Sequence, residues 1–417
     1  MDPVDALVDD LFRRESGRLV SILVRIFGAN NLALAEDVVQ DVLCRALEVW
    51  KFRGVPDNPS AWLVTAAKNR AIDAMRRAKK AKTYALGVAA ESEIPPDVEE
   101  LFHPAAIRDD QLRMMYSCCH PKLNEDVQVA LILNILCGFS ALEIASAFLI
   151  GIASVEKRLA RGKKMLAASR QLLDLKSDDV GARLPAVQRA LYLLFNEGYH
   201  GANATAAVRG DLCREAIHLV SLLLEHPRAR KGPTYGLAAL MCLHAARLPA
   251  RMDGSGRFIP MELQNRATWD MELVARGFVF LEQSARSWEL ADYQIEAAIA
   301  AAHASAQSVE GTDWDTIVTL YDSLLAVRPS AIVALNRAIA VGQKAGPERG
   351  LEEILSISDS DILQIYPFYW ATLGEFALRS GKRGEAKHSF RKARELARNP
   401  FERDHYAARI AACSGVG

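Results

Sequence analysis

The sequence predicts an all-α protein, and three observations carry that prediction. Apolar residues recur at spacings of three and four along nearly the whole chain, as in Leu19, Ile22, Leu23 and Ile26, which places them on one face of a helix. Alternating runs typical of strands are scarce, and Ala-rich segments such as 295–306 favour helix by intrinsic propensity. With 417 residues, the chain is long enough for several domains, each with its own core.

The charge of the chain sums to zero, from 51 Lys and Arg and 51 Asp and Glu. A neutral total argues weakly against a nucleic-acid partner. No run reaches the roughly 18 apolar residues of a membrane helix, and the acidic start MDPVDALVDD lacks the layout of a signal peptide. Seven cysteines without a C-x-x-C pair are typical of a reduced protein, so we expect a cytoplasmic location and no membrane contact.

Composition divides the chain into segments. Residues 83–109 are acidic and carry three prolines, which predicts a linker. It separates a first helical domain at 1–82 from a second at 110–175. We predict a helical extension at 176–290 and helical repeats at 291–417.

Two helices of the first domain carry unlike charge. Asn58 and Pro59 predict a helix start, since Asn caps free amides and Pro suits the first helical position. That helix ends in dense positive charge from residue 68 to residue 82, which is typical of phosphate binding but also of any helix carboxyl end. The preceding helix is acidic and either meets a basic protein partner or is merely solvated; its polar residues are Glu36, Asp37, Gln40 and Asp41.

Together these helices resemble region 2 of a bacterial sigma-70-type sigma factor of the extracytoplasmic-function class. The resemblance is carried by A-E-D-V-V-Q-D-V at 35–42 and P-S-A-W-L-V-T-A-A-K-N-R-A-I-D-A-M-R-R at 59–77. It implies that the acidic helix docks on the clamp of core RNA polymerase through Glu36, Asp37, Gln40 and Asp41. It also implies that the −10 element of promoter DNA is opened and read by Arg53, Asn58, Trp62, Lys68, Asn69, Arg70, Arg76 and Arg77. Trp62 either stacks on a base or packs between helices.

The second domain has the pattern of a helix-turn-helix. Ser140 and Glu143 form a predicted capping box before a short helix that ends near Phe148, and a longer basic helix follows at 153–168. The string S-V-E-K-R-L-A-R-G-K-K-M-L at 154–166 is similar to sigma region 4, which reads the −35 element. The resemblance implies −35 contacts by Ser154, Glu156, Lys157, Arg158, Arg161 and Lys164. Two residues depart from the family pattern: Glu156 stands where a base is usual, and Gly162 replaces Ala at up to about 1 kcal/mol of helix propensity.

The last segment carries a repeat pattern. Trp370, Gly374, Ala386, Phe390 and Ala393 fall at the offsets of a tetratricopeptide repeat, and we predict two or three degenerate repeats between 292 and 412. The whole layout resembles sigma factors whose carboxy-terminal extension is thought to regulate the sigma core. We hypothesise that the repeats or the acidic linker contact the basic helices.

Two further clusters invite other chemistry. Cys118, Cys119 and His120 lack the usual spacing of zinc ligands, so a structural role at a helix end is favoured, and we expect no metal and no cofactor. Glu197 and His200 offer an acid and a base, but no nucleophile falls at a telling spacing, so we expect no enzyme.

The sequence therefore predicts a sigma factor that binds core RNA polymerase and directs promoter-specific initiation. A helix-turn-helix regulator with a sensory repeat domain is the first alternative, and it would not bind the polymerase core. A helical enzyme using the Glu197–His200 region is the second.

Overall fold

The computed structural model describes residues 3–86, 102–148, 150–169, 172–176, 178–200, 209–253, 259–288, 290–358, 360–397 and 399–414. Within these ranges the chain is helical and has no β-strand, which confirms the all-α prediction. No helix among them is long and apolar enough to cross a membrane. The chain forms two compact units, Met1–Leu194 and Phe195–Gly417.

The first unit contains both predicted amino-terminal domains. Its helices are α1 (Pro3–Phe27), α2 (Leu32–Arg53), α3 (Pro59–Leu86), α4 (Pro104–Cys118), α5 (Glu125–Ile135), α6 (Ala141–Phe148), α7 (Ile152–Ala168) and most of α8 (Asp179–His200). Helix α1 packs against α2, α3 and α4, and α5 packs against α7. The predicted stripe of α1 forms the centre of this core, since Leu19, Ile22 and Leu23 are fully buried.

Helix starts in this unit follow the sequence signals. Asn58 caps α3, because its Oδ1 accepts the N–H of Ala61 at 3.0 Å. The Ser140–Glu143 capping box is present in both directions: the Ser140 N–H donates to Glu143 Oε2 at 2.9 Å, and the Glu143 N–H donates to Ser140 Oγ at 3.2 Å.

The predicted linker at 83–109 differs from the structure at both ends. Helix α3 extends to Leu86, and α4 begins at Pro104. His103 caps α4 by accepting the Ala105 N–H at 3.3 Å, with Pro104 in the first turn. A proline that composition assigns to a linker therefore starts a helix. Residues 87–101 lie outside the described ranges.

The second unit is a succession of helices, with a longer segment at 246–270 between the helix that ends at Ala245 and the helix that begins at Met271. They are α9 (Gly210–Glu225), α10 (Gly232–Ala245), α11 (Met271–Ala285), α12 (Asp292–Ser305), α13 (Trp314–Val327), α14 (Ala331–Ala345), α15 (Pro347–Leu355), α16 (Ser360–Gln364), α17 (Pro367–Arg379), α18 (Arg383–Glu395) and α19 (Pro400–Ala412). Neighbouring helices pack on each other through small residues. A Cβ on Gly374 of α17 would come within 2.8 Å of the Phe390 ring of α18, and Ala386 and Ala393 are fully buried.

Candidate polymerase and nucleic-acid interfaces

One face of α2 is exposed and combines acidic and apolar groups. Asp37, Gln40 and Asp41 are exposed, and Glu36 is half-buried. Val38, Val39 and Val42 are buried on the opposite side, so the acids must point outward. Leu34 and Leu47 flank these acids and keep 40% and 51% of their surface exposed. Apolar groups beside charge favour a protein partner over simple solvation.

Two acids of α2 already have basic partners inside the unit. Asp41 pairs with Arg70 of α3 at 2.9 Å, and Glu36 pairs with Lys163 of α7 at 2.7 Å. Pairs with this much exposure stabilise a fold by at most about 1 kcal/mol each. A partner that offers its own charges can therefore displace them at small cost.

The end of α2 and the loop that follows it present apolar groups to solvent. Phe52 is 86% exposed and Val55 is 37% exposed, beside the exposed Arg53. Sequence reasoning singled out Arg53 and Asn58 here and included Phe52 only as the first residue of the −10 segment, without a contact role. The available signal was an aromatic residue at the polar end of a helix, two positions before a Gly-Val-Pro turn.

Trp62 packs inside the unit with part of its surface exposed. Its ring lies edge-on to that of Trp50, with centroids 5.5 Å apart and an interplanar angle of 66°. The indole is half-buried. This contact accounts for the helix-packing alternative, whereas Phe52 is the more accessible ring in the same region.

The basic end of α3 is exposed where the structure describes its side chains. Arg76 and Arg77 are exposed, as is Asn69, and Lys68 is half-buried. Asp73 lies 3.9 Å from Arg76 and accepts the Arg77 Nε–H through its backbone carbonyl at 3.4 Å. The side chains beyond Arg77, including three predicted bases, lie outside the described part of the chain.

Helix α7 presents one basic face to solvent. The exposed residues Ser154, Lys157, Arg161 and Lys164 are spaced by three and four, which aligns them along one side of the helix. Glu156 is exposed beside them. Arg158 lies off this face, because it is half-buried and pairs with Asp126 of α5 at 3.4 Å.

Helix packing explains why glycine stands at position 162. It is buried in the middle of α7, and a Cβ there would approach the side chain of Leu131 to 2.6 Å. Leu131 is fully buried in α5. The departure from Ala therefore brings α7 close to α5, and helix propensity alone would have missed this.

The two predicted amino-terminal domains contact each other through α1. A Cβ on Gly17 would come within 1.9 Å of the Leu136 carbonyl oxygen at the end of α5. Arg13 pairs with Glu143 of α6 at 3.0 Å, and Arg25 pairs with Asp110 of α4 at 3.1 Å. Burial raises the pKa of the Asp110 carboxyl to about 6, against the opposing effect of Arg25.

Cys118, Cys119 and His120 take part in local structure. Cys118 and Cys119 are buried, and burial raises the pKa of the Cys119 thiol to about 12, so it is not a ready thiolate. His120 Nδ1 accepts the Lys122 N–H at 3.1 Å. Among the described residues no group of three His, Cys, Asp or Glu side chains has metal-binding geometry. The His200 side chain lies outside the described part.

Comparison with known proteins gives three family matches. Residues 11–81 match sigma-70 region 2, residues 113–166 match sigma-70 region 4, and residues 183–285 match a family of unknown function, DUF6596. An uncharacterized protein of Rhizobium meliloti (strain 1021) is 36% identical over 406 residues, which cover 93% of this chain and 92% of that protein. The two sigma-70 matches include every residue singled out above on α2, α3 and α7.

Proposed function

This chain belongs to the sigma-70 family, as an extracytoplasmic-function-like sigma factor with a carboxy-terminal extension, and we propose that it binds core RNA polymerase and directs it to specific promoters. Its two sigma-70 regions assign it to transcription initiation. Sigma factors act by binding, so the chain needs no covalent chemistry of its own. It would act in the cytoplasm, where the chromosome is.

The exposed acidic and apolar face of α2 is the observation that carries the polymerase proposal. Asp37 is exposed, and reversing its charge should not disturb the core. We expect Asp37→Lys to weaken co-elution with core RNA polymerase by about tenfold or more, as for a charge reversed inside a complementary interface. The control is Glu272→Lys, an equal charge change at an exposed position of α11. Equal binding of both variants would contradict the docking face.

The segment from Phe52 to Arg77 is proposed to open and read the −10 element. Melting a duplex exposes bases, which bind through stacking on aromatic rings and through backbone charge. Phe52 offers an exposed ring, and Arg76 and Arg77 offer exposed charge. We expect Phe52→Ala to reduce open-complex formation, measured by permanganate reactivity of unpaired thymines, while core binding is unchanged. Unchanged permanganate reactivity would exclude Phe52 from the melting step.

The basic face of α7 is proposed to engage the −35 element. Each phosphate contact changes the slope of log affinity against log salt by about 0.9. We expect Arg161→Ala to flatten the slope by about 1. Adding Arg158→Ala tests whether Arg158 leaves Asp126 on binding DNA: a further flattening of about 1 means that it does, and none means that it stays paired. An unchanged slope in the double variant would contradict the −35 assignment.

The two regions must separate on a promoter. The names of the −10 and −35 elements give positions that differ by about 25 base pairs, or roughly 85 Å at 3.4 Å per pair. In the structure, Glu36 of α2 and Lys163 of α7 are 2.7 Å apart. The compact first unit cannot read both elements at once, so we propose that it is a closed state that opens on core polymerase.

The extension is proposed to regulate the sigma core. The part of α8 that belongs to the first unit contacts α4 and α5 of that unit, since Arg183 Nη1 donates to the Tyr116 carbonyl at 2.9 Å and Arg189 pairs with Glu125 at 2.7 Å. A truncation should therefore end after α8, at residue 200, to keep these contacts. In vitro transcription by the full chain and by residues 1–200 should differ, and equal activity would contradict the regulatory role.

A further inference from the structure

The second unit contains a cluster of arginine and histidine side chains that neither DNA nor polymerase binding uses. Its members come from the end of α10, from the segment after it, and from the end of α12. They are His244, Arg247, Arg251, Arg266, Trp269 and His303. Trp269 is at its centre, because the Arg247 and Arg266 guanidinium carbons each lie 5.5 Å from its ring centroid.

Two arginines of the cluster, Arg247 and Arg266, are bonded to neutral groups. Arg266 donates to the carbonyls of His303 and Ala306 at 2.8 and 2.7 Å and to Thr312 Oγ1 at 3.1 Å. Within the described residues, the one hydrogen bond of Arg247 runs from Nε to Gln264 Oε1 at 3.3 Å. Arg266 is thus fixed to the end of α12, while the terminal nitrogens of Arg247 remain available.

Arg251 is the deepest of the three. It is 5% exposed, donates to the Tyr199 carbonyl at 2.7 Å and lies 3.8 Å from the Tyr199 ring centroid. Burial lowers the pKa of Arg251, and the nearby charge of Arg247 lowers it further. The same two causes lower the pKa of Arg266, while the exposed Glu310 acts in the opposite direction. The guanidinium charges therefore repel one another in a poorly hydrated place.

Three polar atoms beside these charges are buried without a hydrogen-bond partner in the described structure: His244 Nδ1, His303 Nδ1 and Trp269 Nε1. Trp269 is only 5% exposed. An unsatisfied buried donor or acceptor costs on the order of 1–3 kcal/mol unless something pairs with it. Burial and then Arg247 lower the pKa of both histidines to about 3, so both rings are neutral at pH 7.

We propose that this cluster is a binding site for a small oxyanion, the phosphate or carboxylate group of a small molecule. Arg247 would supply the forked pair of donors that matches either group. The Trp269 N–H and the neutral histidines would supply further hydrogen bonds. Such a site gives the extension a ligand of its own. Ligand binding is measured without polymerase, so a negative result there does not bear on the proposed sigma function.

The test titrates the full chain with inorganic phosphate and, separately, with succinate, in chloride of matched ionic strength. We expect one of them to raise the melting temperature and to shift the Trp269 indole N–H signal in an ¹⁵N spectrum, with that signal assigned from Trp269→Phe. A response to phosphate identifies a phosphoryl ligand, and a response to succinate identifies a carboxylate. No response to either in the wild-type chain would overturn the proposal.

Two variants separate a specific site from general surface charge. Arg247→Gln should weaken binding at least tenfold, and Arg247→Lys should weaken it less, because Lys keeps the charge and loses the fork. The control Arg286→Gln removes an exposed arginine of the same unit that pairs with Glu282 at 2.8 Å, and its affinity should equal that of the wild type. Equal weakening by Arg286→Gln and Arg247→Gln would overturn the site.

Discussion

Substitution of Gly17 by Ala tests the packing of α1 on the end of α5, and with it the closed state of the first unit. On helix propensity alone, Gly17→Ala would stabilise α1 by about 1 kcal/mol. The added Cβ, however, would lie 1.9 Å from the Leu136 carbonyl oxygen, where side-chain Cβ atoms essentially never come closer than 3.0 Å. One of the two helices must therefore move by about 1 Å or more.

The Leu136 carbonyl cannot move aside on its own. It is backbone, and the Leu136 N–H is bound to the Ile132 carbonyl at 3.0 Å. Overpacking of this kind costs about 1–3 kcal/mol, against about 1 kcal/mol gained in helix propensity. The movement would also strain the Arg13–Glu143 pair, which lies one turn away along α1. We expect a net loss of up to about 2 kcal/mol from the contact between the two sigma regions.

Energy transfer between α2 and α7 measures this opening. Cys44 is the one exposed cysteine among the seven and lies on α2, so a label there pairs with one on Lys164→Cys of α7. Gly17→Ala should lower the transfer efficiency. The matched control is Gly181→Ala, where an added Cβ meets no atom within 4 Å. The reasoning is refuted if both substitutions leave the transfer efficiency unchanged and raise the unfolding free energy alike.

Three further outcomes follow from packing and charge. Gly162→Ala should lower the unfolding free energy of the first unit by about 1 kcal/mol, despite the better helix propensity of Ala. In a Leu131→Ala background the same substitution should raise the unfolding free energy instead. Additive effects of the two substitutions would exclude the contact between positions 162 and 131. For His244 and His303, the folded pKa of about 3 lies below the usual 6.5, so stability is full above pH 6.5 and is lost as the pH falls toward 3. Urea unfolding in buffers free of phosphate and carboxylate should show that about 1–2 kcal/mol of unfolding free energy is lost per histidine from pH 7 to pH 5. The loss should be smaller in His244→Phe. An equal loss in that variant would exclude His244 as a source of the pH dependence. One thiol, Cys44, should react rapidly with a disulfide reagent and six slowly; two or more rapid thiols in the native chain would show that the buried cysteines are accessible.

Local signals in the sequence were reliable where a few neighbouring residues decide the outcome. The Asn58 cap and the Ser140–Glu143 box depend on side chains within three residues of the backbone groups that they satisfy. The buried stripe of α1 depends only on helical periodicity. A motif of nineteen letters at 59–77 was specific enough to indicate the family.

The remaining features depend on which helices meet. Gly162 is explained by Leu131, thirty-one positions earlier in the chain, and Gly17 by Leu136. The arginine and histidine cluster draws on residues from 244 to 303, with no periodicity that links them. The start of α4 could not be predicted from composition. Proline is typical of a linker, but it also suits the first turn of a helix, which is where Pro104 lies.

The central claim is that this chain directs RNA polymerase to promoters. The most direct measurement is in vitro transcription by core RNA polymerase on genomic DNA of the source organism, with the 5′ ends of the transcripts sequenced. The account predicts start sites that appear only when the chain is present and that share −10 and −35 sequences at fixed spacing. No chain-dependent starts, together with no co-elution of the chain with core polymerase, would contradict it.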